Sequence, residues 1–395
     1  MAKVIVGMSG GIDSSVTAHL LRERGYDVEG VSLLMYEPRK GESARCSPRA
    51  IDEAAGIARN MGVRHEVIDV REEFAAQVIE PFLRAYLSGV TPNPCILCNR
   101  SVKFPALLRR ALSAGADFIA TGHYARLERQ RQSAGSVEDV GADFPREAEG
   151  VPLLKKGIDQ KKEQSYVLYA LSRETLSALL LPLGNYMKQA VRRLGAEIGL
   201  PLSICAESQE ICFLQGKKYL TFLREGSRAM MEPGPIVDQE GKVIGKHTGI
   251  YGYTIGQRKR LGIASQRPLY VTGLSVGSNT VFVGYREAAE TREVRVDELN
   301  WLIDMETARE GEAATSFRAT VKIRSTMRDK PATITLRSPI SSPKAREEGL
   351  AIRRRVIADI LFDEPQWAPA PGQSAVFYHG DTVIGGGIIQ ERMPP

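Results

Sequence analysis

The chain has 395 residues, 43% of them hydrophobic and 25% charged, which is enough for two or three globular domains and excludes a disulfide-stapled miniprotein. No segment approaches the roughly 20 apolar residues that span a bilayer, and the first residues enter a strand-like run without a secretory signal. We therefore expect a cytoplasmic protein that does not bind membranes. The net charge of +6 permits a polyanionic partner without requiring one.

The first 130 residues alternate short apolar runs with helical patterns, which is typical of parallel strands joined by crossover helices. The predicted strands are Lys3–Val6, Val28–Leu34, Arg64–Val70 and Phe118–Thr121, and the predicted helices are Ser14–Arg24 and Pro48–Met61. We therefore expect a doubly wound α/β domain with a parallel sheet over residues 1–215. Residues 130–150, rich in Gly, Ser, Asp and Glu, indicate an exposed insertion in that domain.

The second half of the chain has a different pattern, with short strand-like runs separated by Gly, Pro, Asp and Ser. The runs GPIVDQEGKVIG and RPLYVTGLSVGSNTVFVG predict hairpins. We expect a small β-rich central domain over residues 216–290. A C-terminal domain resembling a β-barrel is predicted over residues 291–395, with a basic insert at 338–355.

The segment VIVGMSGGIDSSVTAHLL predicts a strand that ends in a glycine-rich turn and opens a helix. Three glycines let the backbone approach a ligand, while two serines and the free amides of the helix can surround phosphate oxygens. These residues are Gly7, Gly10, Gly11, Ser9 and Ser14. The segment has neither the dinucleotide spacing nor a lysine for a γ-phosphate. It suits an enzyme that releases pyrophosphate and transfers an adenylyl group, with Asp13 as a possible ligand of Mg²⁺.

All five cysteines precede residue 213. Cys95 and Cys98 have C-x-x-C spacing, before a predicted helix, and such a pair can be a redox couple, half of a zinc site or part of an iron–sulfur site. The helix dipole and the nearby Arg100 and Lys103 are expected to lower the pKa of a thiol here. The alternative is a pair of buried structural cysteines. The surroundings of Cys46, Cys205 and Cys212, taken alone, indicate no special role.

Seven ordered segments together resemble the bacterial tRNA-specific 2-thiouridylases, which belong to the N-type ATP pyrophosphatases. They are GMSGGIDSSV, TPNPCILCN, TGHYAR, KKEQSYVLYAL, ESQEICF, GYTIGQRKRLGI and APGQSAVFYHGDTVIGGGII. The resemblance runs along nearly the whole chain. It implies that the α/β domain is an ATP-pyrophosphatase domain and that the protein thiolates the wobble uridine of tRNA.

The resemblance also implies the roles of individual residues. ATP binds at Gly7, Met8, Ser9, Gly10, Gly11, Ile12, Asp13, Ser14, Leu33 and Gly122. The uridine C2 oxygen is adenylated, Cys212 carries sulfur as a persulfide, and Cys98 is the partner catalytic cysteine. The sulfur comes from a relay protein or a cysteine desulfurase. No DNA partner is expected.

Further matched positions imply contacts with tRNA. They are Asn93, Pro94, Cys95, His123, Lys162, Glu163, Gln164, Arg324, Ser325 and Gln373. The basic residues Arg258, Lys259 and Arg260 could in addition meet phosphates. Without the motif context, each basic residue would more simply be a solvated surface charge.

Three positions depart from the family pattern. Cys95 stands where the best-known members carry aspartate, Glu163 where they carry aspartate, and Arg260 where they carry glycine. The first departure opens a second mechanism, because Cys95, Cys98 and Cys212 are enough thiolates to hold a [4Fe-4S] cluster with one open iron.

Two other functions compete with tRNA thiolation. One is an ATP pyrophosphatase that acts on a small molecule, which explains the glycine-rich turn and nothing after residue 90. The other is a tRNA-binding or metal-sensing module with a vestigial phosphate cup.

Overall fold

The computed structural model describes residues 1–36, 48–130, 150–200, 211–214, 232–304, 315–337 and 356–390. The chain separates into two compact units. Unit 1 comprises Met1–Glu80, Pro94–Lys218 and Asp381–Val383, and unit 2 comprises Pro81–Asn93, Tyr219–Gly380 and Ile384–Pro395. Each unit contains hydrophobic core of its own.

Unit 1 is built on a five-stranded parallel sheet with the order β3-β2-β1-β4-β7. The strands that precede residue 200 are β1 (Lys3–Gly7), β2 (Asp27–Leu34), β3 (Arg64–Asp69), β4 (Phe118–Ala120), β5 (Ala125–Gln130), β6 (Val151–Lys156) and β7 (Leu179–Leu180). The predicted doubly wound α/β fold is confirmed.

The helices that precede residue 200 connect these strands. They are α1 (Ile12–Glu23), α2 (Pro48–Asn60), α3 (Arg71–Phe74), α4 (Glu80–Leu87), α5 (Pro94–Cys98), α6 (Phe104–Ser113), α7 (Ser165–Leu168), α8 (Arg173–Ser177) and α9 (Lys188–Glu197). Two π-helical segments, Ala75–Ile79 and Asn99–Lys103, and a 3-10 turn, Pro182–Asn185, complete them.

The sheet of unit 1 is covered on both faces. Val4, Ile5 and Val6 of β1 are all fully buried, and successive strand residues point to opposite faces. Val16 and Leu21 of α1 join the same core as β1. Burial of each such side chain contributes about 1.5–3 kcal/mol, and this packing holds the carboxyl end of β1 against the start of α1.

The predicted insertion at residues 130–150 lies between two paired strands. β5 and β6 form an antiparallel hairpin in which Gln130 pairs with Val151 and Ala125 with Lys156. Residues 131–149 lie outside the described residues.

After residue 231 the chain is β-rich. The strands β8 (Gly234–Val237), β9 (Val243–His247), β10 (Tyr270–Ser275) and β11 (Thr280–Gly284) form a sheet with the order β10-β11-β8-β9. Both predicted hairpins are confirmed, because β8 pairs with β9 and β10 with β11 in antiparallel fashion. A 3-10 turn, Ile250–Gly252, and the short helix α10 (Arg286–Ala289) flank these strands.

Six further strands form the C-terminal barrel. They are β12 (Glu290–Trp301), β13 (Thr315–Lys322), β14 (Lys330–Arg337), β15 (Ile357–Trp367), β16 (Ser374–His379) and β17 (Thr382–Ile389). Their order is β12-β15-β14-β13-β16-β17, and pairing of β12 with β17 closes the barrel. Ile334, Phe362 and Phe377 are fully buried in its core. The predicted barrel is confirmed, and its predicted insert at 338–355 lies outside the described residues.

Among the described residues, no helix combines the length and the apolar character needed to cross a membrane.

Two glycines of unit 1 give opposite expectations for alanine substitution. A Cβ atom on Gly184 would lie 2.1 Å from the carbonyl oxygen of Ala125, whereas one on Gly56, inside α2, would meet nothing within 4 Å. We expect Gly184→Ala to destabilise the protein by about 1–3 kcal/mol through overpacking. Gly56→Ala is expected to stabilise it by about 0.5–1 kcal/mol, because alanine loses less backbone entropy in a helix.

These shifts are to be measured by urea unfolding followed by far-ultraviolet circular dichroism. Tryptophan fluorescence is unsuitable because Trp301 and Trp367, the two tryptophans of the chain, both belong to unit 2. Equal effects of the two substitutions would contradict the packing described for Gly184.

Candidate active site

The turn between β1 and α1 brings backbone atoms close together. Gly10 has a φ of 71°, a left-handed conformation that side chains disfavour. A Cβ atom on Gly10 would also lie 2.4 Å from the carbonyl oxygen of Ala50 in α2. Glycine is therefore required here both by backbone conformation and by lack of space.

The first turn of α1 presents N–H groups and hydroxyls to an anion. Gly11 precedes the helix with a φ of −92° and a ψ of 160°, and no described side chain caps it. The Ser9 N–H donates to Ser14 Oγ over 3.1 Å, and Ser14 Oγ donates to the Gly11 carbonyl over 3.0 Å. Free N–H groups and the positive end of the helix dipole favour phosphate oxygens. The predicted phosphate cup, residues 7–14, therefore has the strand–turn–helix geometry that it needs.

Gly122 lies directly against this turn. It follows β4, in which Phe118 pairs with Val4 of β1. A Cβ atom on Gly122 would lie 2.9 Å from the carbonyl carbon of Asp13 and 3.0 Å from the backbone nitrogen of Ser14. The sequence-predicted Gly122 therefore forms one wall of the cup, and any side chain at this position would displace it.

Leu33 lies near the end of β2, beside the strand that leads into the cup. The Met8 N–H donates to the Val31 carbonyl over 2.8 Å, and Ser32 Oγ donates to the Met8 carbonyl over 2.8 Å. Leu33 is buried at this carboxyl edge of the parallel sheet, where α/β proteins bind ligands. Its predicted contact with adenine stays a prediction.

Two side chains that sequence reasoning did not single out converge on Asp13. Tyr124 donates its hydroxyl to Asp13 Oδ1 over 2.7 Å, and Lys188 Nζ donates to the same oxygen over 2.5 Å. The side chain of Lys188 is 9% exposed and that of Asp13 is 32% exposed. The cup therefore contains a lysine, although its own motif has none.

The sequence contains different indications that Tyr124 and Lys188 belong to the site. Tyr124 belongs to the segment TGHYAR, which the resemblance includes. Lys188 lies 175 residues from Asp13 and is the first residue of α9. A cation is unfavourable at a helix N-terminus, and this local conflict is the only signal in the sequence that Lys188 has an anionic partner.

Asp13 can hold Mg²⁺ together with a nucleotide. Its Oδ1 accepts two hydrogen bonds, whereas Oδ2 accepts none from any described residue. Mg²⁺ in nucleotide sites uses one or two carboxylates and completes its shell with phosphate oxygens and water. The residues at the cup therefore fit a Mg²⁺–nucleotide complex.

The cysteine pair lies within a helix and not before one, so that part of the prediction is wrong. α5 spans Pro94–Cys98 and runs on through the π-helical segment into α6. Proline is tolerated at the start of a helix, and the helix can therefore begin at Pro94. Cys98 is buried, with its Sγ 3.9 Å from the Sδ of Met35, and Cys95 is exposed.

The prediction of a lowered thiol pKa is wrong for Cys95. Although the residue has an exposed surface, desolvation by the surrounding protein raises the pKa of its thiol, and the charge of Lys103 lowers it by a smaller amount. Desolvation disfavours the thiolate and outweighs the nearby cation. Cys95 is therefore held as a thiol at neutral pH.

Cys212 lies in a short described stretch, residues 211–214. It is half-buried, and its neighbour Phe213 contacts Phe74 edge to face with ring centroids 5.8 Å apart. In the part of the chain that the structure describes, no three His, Cys, Asp or Glu residues are arranged to hold a metal ion. The [4Fe-4S] cluster considered for Cys95, Cys98 and Cys212 therefore stays a prediction.

The predicted tRNA-contacting segment Lys162–Gln164 is tied to the site by hydrogen bonds. Gln164 accepts from the Tyr124 N–H through its side chain over 2.9 Å and donates its own N–H to the Tyr124 carbonyl over 2.9 Å. The Glu163 carboxylate accepts from the Ser165 N–H over 2.5 Å. Gln164 and Glu163 thus shape this segment, and their predicted contacts with tRNA stay predictions.

His123 lies beside the cup as an uncharged ring. Burial and the positive charge of Lys103 hold the pKa of His123 well below its usual value. The ring stacks on Phe104 at a centroid distance of 5.8 Å, and its Nδ1 is 2.8 Å from Thr121 Oγ1. A predicted tRNA contact of His123 would thus use stacking or a neutral hydrogen bond and not a salt bridge to phosphate.

Other predicted tRNA-contacting residues belong to unit 2. The Gln373 side chain donates to the Thr91 carbonyl over 2.9 Å, and Arg324 donates to the Ala368 carbonyl over 2.6 Å. Asn93 is half-buried and Ser325 is exposed. These contacts give Gln373 and Arg324 structural roles, and tRNA binding by all four stays a prediction.

The basic loop of unit 2 borders a cleft of about 460 Å³. Arg258, Arg260 and Arg267 line the cleft. Arg260 has a φ of 68°, in the left-handed region that favours glycine. This conformation explains why a glycine suits the position in the family, and the contact of the loop with phosphates stays a prediction.

Three domain models match the chain. Residues 2–216 match the tRNA methyl transferase HUP domain, residues 221–285 the tRNA methyl transferase PRC-barrel domain, and residues 351–389 the aminomethyltransferase beta-barrel domain. A crystal structure of a 4-thiouridine synthetase–RNA complex with bound ATP covers 57% of this chain and 50% of that chain, with a TM-score of 0.33 and 16% identity. A similarity at that level does not establish a shared function.

Full-length relatives are far more similar. The tRNA-specific 2-thiouridylase MnmA of Heliobacterium modesticaldum is 42% identical over 99% of this chain and 93% of its own length. MnmA 1 of Caldanaerobacter subterraneus subsp. tengcongensis is 40% identical over 99% of this chain and 98% of its own length. MnmA of Moorella thermoacetica is 40% identical over 98% of this chain and 99% of its own length. With its phosphate cup, its cysteine-bearing helix and this similarity along nearly the whole chain, the protein belongs to the tRNA-specific 2-thiouridylase family.

Proposed function

We propose that this protein replaces the C2 oxygen of the wobble uridine of tRNA with sulfur at the expense of ATP. The observation that carries the proposal is a phosphate cup, walled by Gly10 and Gly122, in a chain that is about 40% identical to 2-thiouridylases over almost its full length. Membership of the family makes this protein an ATP-dependent enzyme of tRNA thiolation. The assignment of steps to residues is our proposal.

The first step is adenylation of the uridine. A carbonyl oxygen is a poor leaving group, and bonding it to AMP makes it a good one. The C2 oxygen forms a bond to the α-phosphorus of ATP, the bond to pyrophosphate breaks with its electron pair on pyrophosphate, and the uridine N3 proton passes to water. The N–H groups at the start of α1 hold the phosphates, and bound Mg²⁺, with Asp13 as its protein ligand, supplies Lewis-acid stabilisation of charge.

The second step transfers sulfur. The terminal sulfur of a Cys212 persulfide attacks C2, and AMP leaves with the original oxygen. Cys98, as thiolate, then attacks the remaining Cys212 sulfur, which breaks the bond to the transferred sulfur and forms a disulfide. An external thiol reductant resets the pair.

The position of Cys98 supports its role as the partner and not the acceptor of incoming sulfur. Cys98 is 7% exposed and contacts Met35, whereas Cys212 is half-buried. A sulfur-relay protein or a cysteine desulfurase has to reach the thiol that it loads, and the more open Cys212 meets this need better. The target base must also leave the anticodon stack to enter such a site.

We assign no step to an iron–sulfur cluster. Three thiolates would have to converge, and the described residues contain no such group. The raised thiol pKa of Cys95 also opposes its use as a thiolate ligand.

Substitution of Gly122 tests the phosphate cup. We expect Gly122→Ala to raise the KM for ATP at least about ten-fold, because the new Cβ would lie about 3 Å from backbone atoms of Asp13 and Ser14 and shift the cup. The measurement is tRNA-stimulated release of pyrophosphate. Gly56→Ala, at an open position in α2, is the matched control and should leave the KM unchanged. An unchanged KM in Gly122→Ala would place the nucleotide elsewhere.

The cysteine roles separate in a two-part assay with unmodified tRNA, ATP and a persulfide donor. We expect Cys98→Ser and Cys212→Ser to lose tRNA thiolation by at least about a hundred-fold while retaining tRNA-stimulated pyrophosphate release, because adenylation needs neither thiol. Cys95→Asp, which restores the family's usual residue, should retain thiolation.

Three results would count against the assignment. Thiolation by both serine variants would remove the two cysteines from the mechanism. Pyrophosphate release that tRNA does not stimulate would favour a small-molecule substrate, and no ATP turnover at all would favour a binding module.

The absence of a cluster role is tested by metal analysis. Protein purified without oxygen and treated with iron and sulfide is expected to retain thiolation with a persulfide donor, whether or not iron is present. Iron and acid-labile sulfide bound stoichiometrically, together with thiolation that depends on them, would restore the cluster mechanism and overturn the persulfide route.

A further inference from the structure

Lys188 is a buried cation at the wall of the phosphate cup. Its side chain is 9% exposed, and its Nζ lies 2.5 Å from Asp13 Oδ1, in the first turn of α1. The ammonium also lies 5.7 Å from the centre of the Tyr124 ring. Burial of an ammonium costs free energy unless anionic or polar partners surround it. The groups that can accept hydrogen bonds from Lys188 therefore indicate what it binds.

The ammonium of Lys188 has more N–H donors than there are acceptors for them among the described residues. It carries three N–H groups, and among the described residues only Asp13 Oδ1 accepts a hydrogen bond from it. That oxygen already accepts from Tyr124. Two donors at the cup therefore have no protein acceptor among the described residues, and a phosphate would provide oxygen atoms for them.

The backbone of Lys188 is held in place on two sides. Its N–H donates to Oδ2 of Asp159 over 2.8 Å, and Asp159 is itself buried. Further along α9, a Cβ atom on Gly195 would lie 2.5 Å from the side chain of Ile12 at the start of α1, so the two helices pack closely. Lys188 is therefore presented to the cup by a rigid support, as expected of a group whose position matters.

We propose that Lys188 is a catalytic residue that binds the phosphates of the nucleotide and stabilises the charge that develops during adenylyl transfer. The inference rests on the proposed function. It assigns to a residue of α9 the cationic role that the glycine-rich motif itself lacks.

The chemistry of the first step requires such a cation. When the uridine oxygen bonds to the α-phosphorus and pyrophosphate departs, negative charge grows on the α-phosphate oxygens and on the leaving oxygen. Lys188 forms and breaks no covalent bond and donates hydrogen bonds to these oxygens. Asp13 Oδ2 stays available for Mg²⁺ while Oδ1 keeps Lys188 in place, so the two cations can act together.

The test begins with binding, which does not require turnover. The probe is the α,β-methylene analogue of ATP, titrated calorimetrically into the full-length protein without Mg²⁺, so that Asp13 has no metal to bind. We expect Lys188→Met, which retains most of the side-chain volume, to weaken binding by about ten- to hundred-fold, the range of one charge-assisted hydrogen bond.

Two controls separate a phosphate-binding role from a structural one. Arg59→Met removes one positive charge from the exposed face of α2 and should leave the affinity unchanged. Lys188→Ala leaves a cavity that an alkylammonium ion can enter, and added ethylammonium should restore part of the affinity. Equal affinity in wild type and Lys188→Met would overturn the proposal. If Lys188→Met fails to fold, absence of rescue in a folded Lys188→Ala overturns it instead.

Turnover completes the test. In a single turnover with tRNA and Mg²⁺, Lys188→Met is expected to form pyrophosphate roughly a hundred-fold more slowly than wild type. If the wild-type protein binds the analogue but tRNA does not stimulate its release of pyrophosphate from ATP, the proposed function fails. The binding data still test the role of Lys188 in that case. If wild type turns over and Lys188→Met matches its rate, the role of Lys188 fails and the proposed function stands.

Discussion

Close approach of backbone to backbone around residues 10–14 is the constraint on which the rest of unit 1 depends. In the turn after β1, Gly10 lies against Ala50 of α2. Gly122, which follows β4, lies against Asp13 and Ser14 at the start of α1. These contacts leave no room for a Cβ atom, and they hold the first turn of α1 at the edge of the parallel sheet. The buried valines of β1 and the packing of α1 supply the rigidity.

Residues from other parts of the chain bring polar and charged side chains to this turn. Tyr124 and Lys188 share one oxygen of Asp13, and Asp159 and Gln164 hold these two donors by their backbones. The segment Lys162–Gln164 is thereby joined through short hydrogen bonds to the nucleotide cup. The segment predicted to contact tRNA and the segment predicted to bind ATP thus belong to one polar network.

The cysteines show how burial can oppose local charge. The sequence places two basic residues near Cys95, and the charge of one of them, Lys103, does favour the thiolate, but desolvation outweighs it and the pKa of Cys95 rises. Cys95 as a neutral thiol is a poor nucleophile, which agrees with our proposal that Cys98 and Cys212 handle sulfur. At His123 the two effects act in the same direction, because burial and the charge of Lys103 both lower the pKa, and the ring is neutral.

Much of the protein could be predicted from the sequence alone. The parallel sheet, both central hairpins, the barrel and the glycine-rich cup depend on apolar periodicity and on glycine at turns, which are local properties. The sequence could not identify Asp13 as the partner of Lys188, because 175 residues separate the two and the packing of α9 on α1 brings them together. Nor could it reveal the thiol pKa of Cys95, since desolvation depends on everything that surrounds a side chain. Local pattern determined the elements and the cup, and tertiary packing decided which charges meet there.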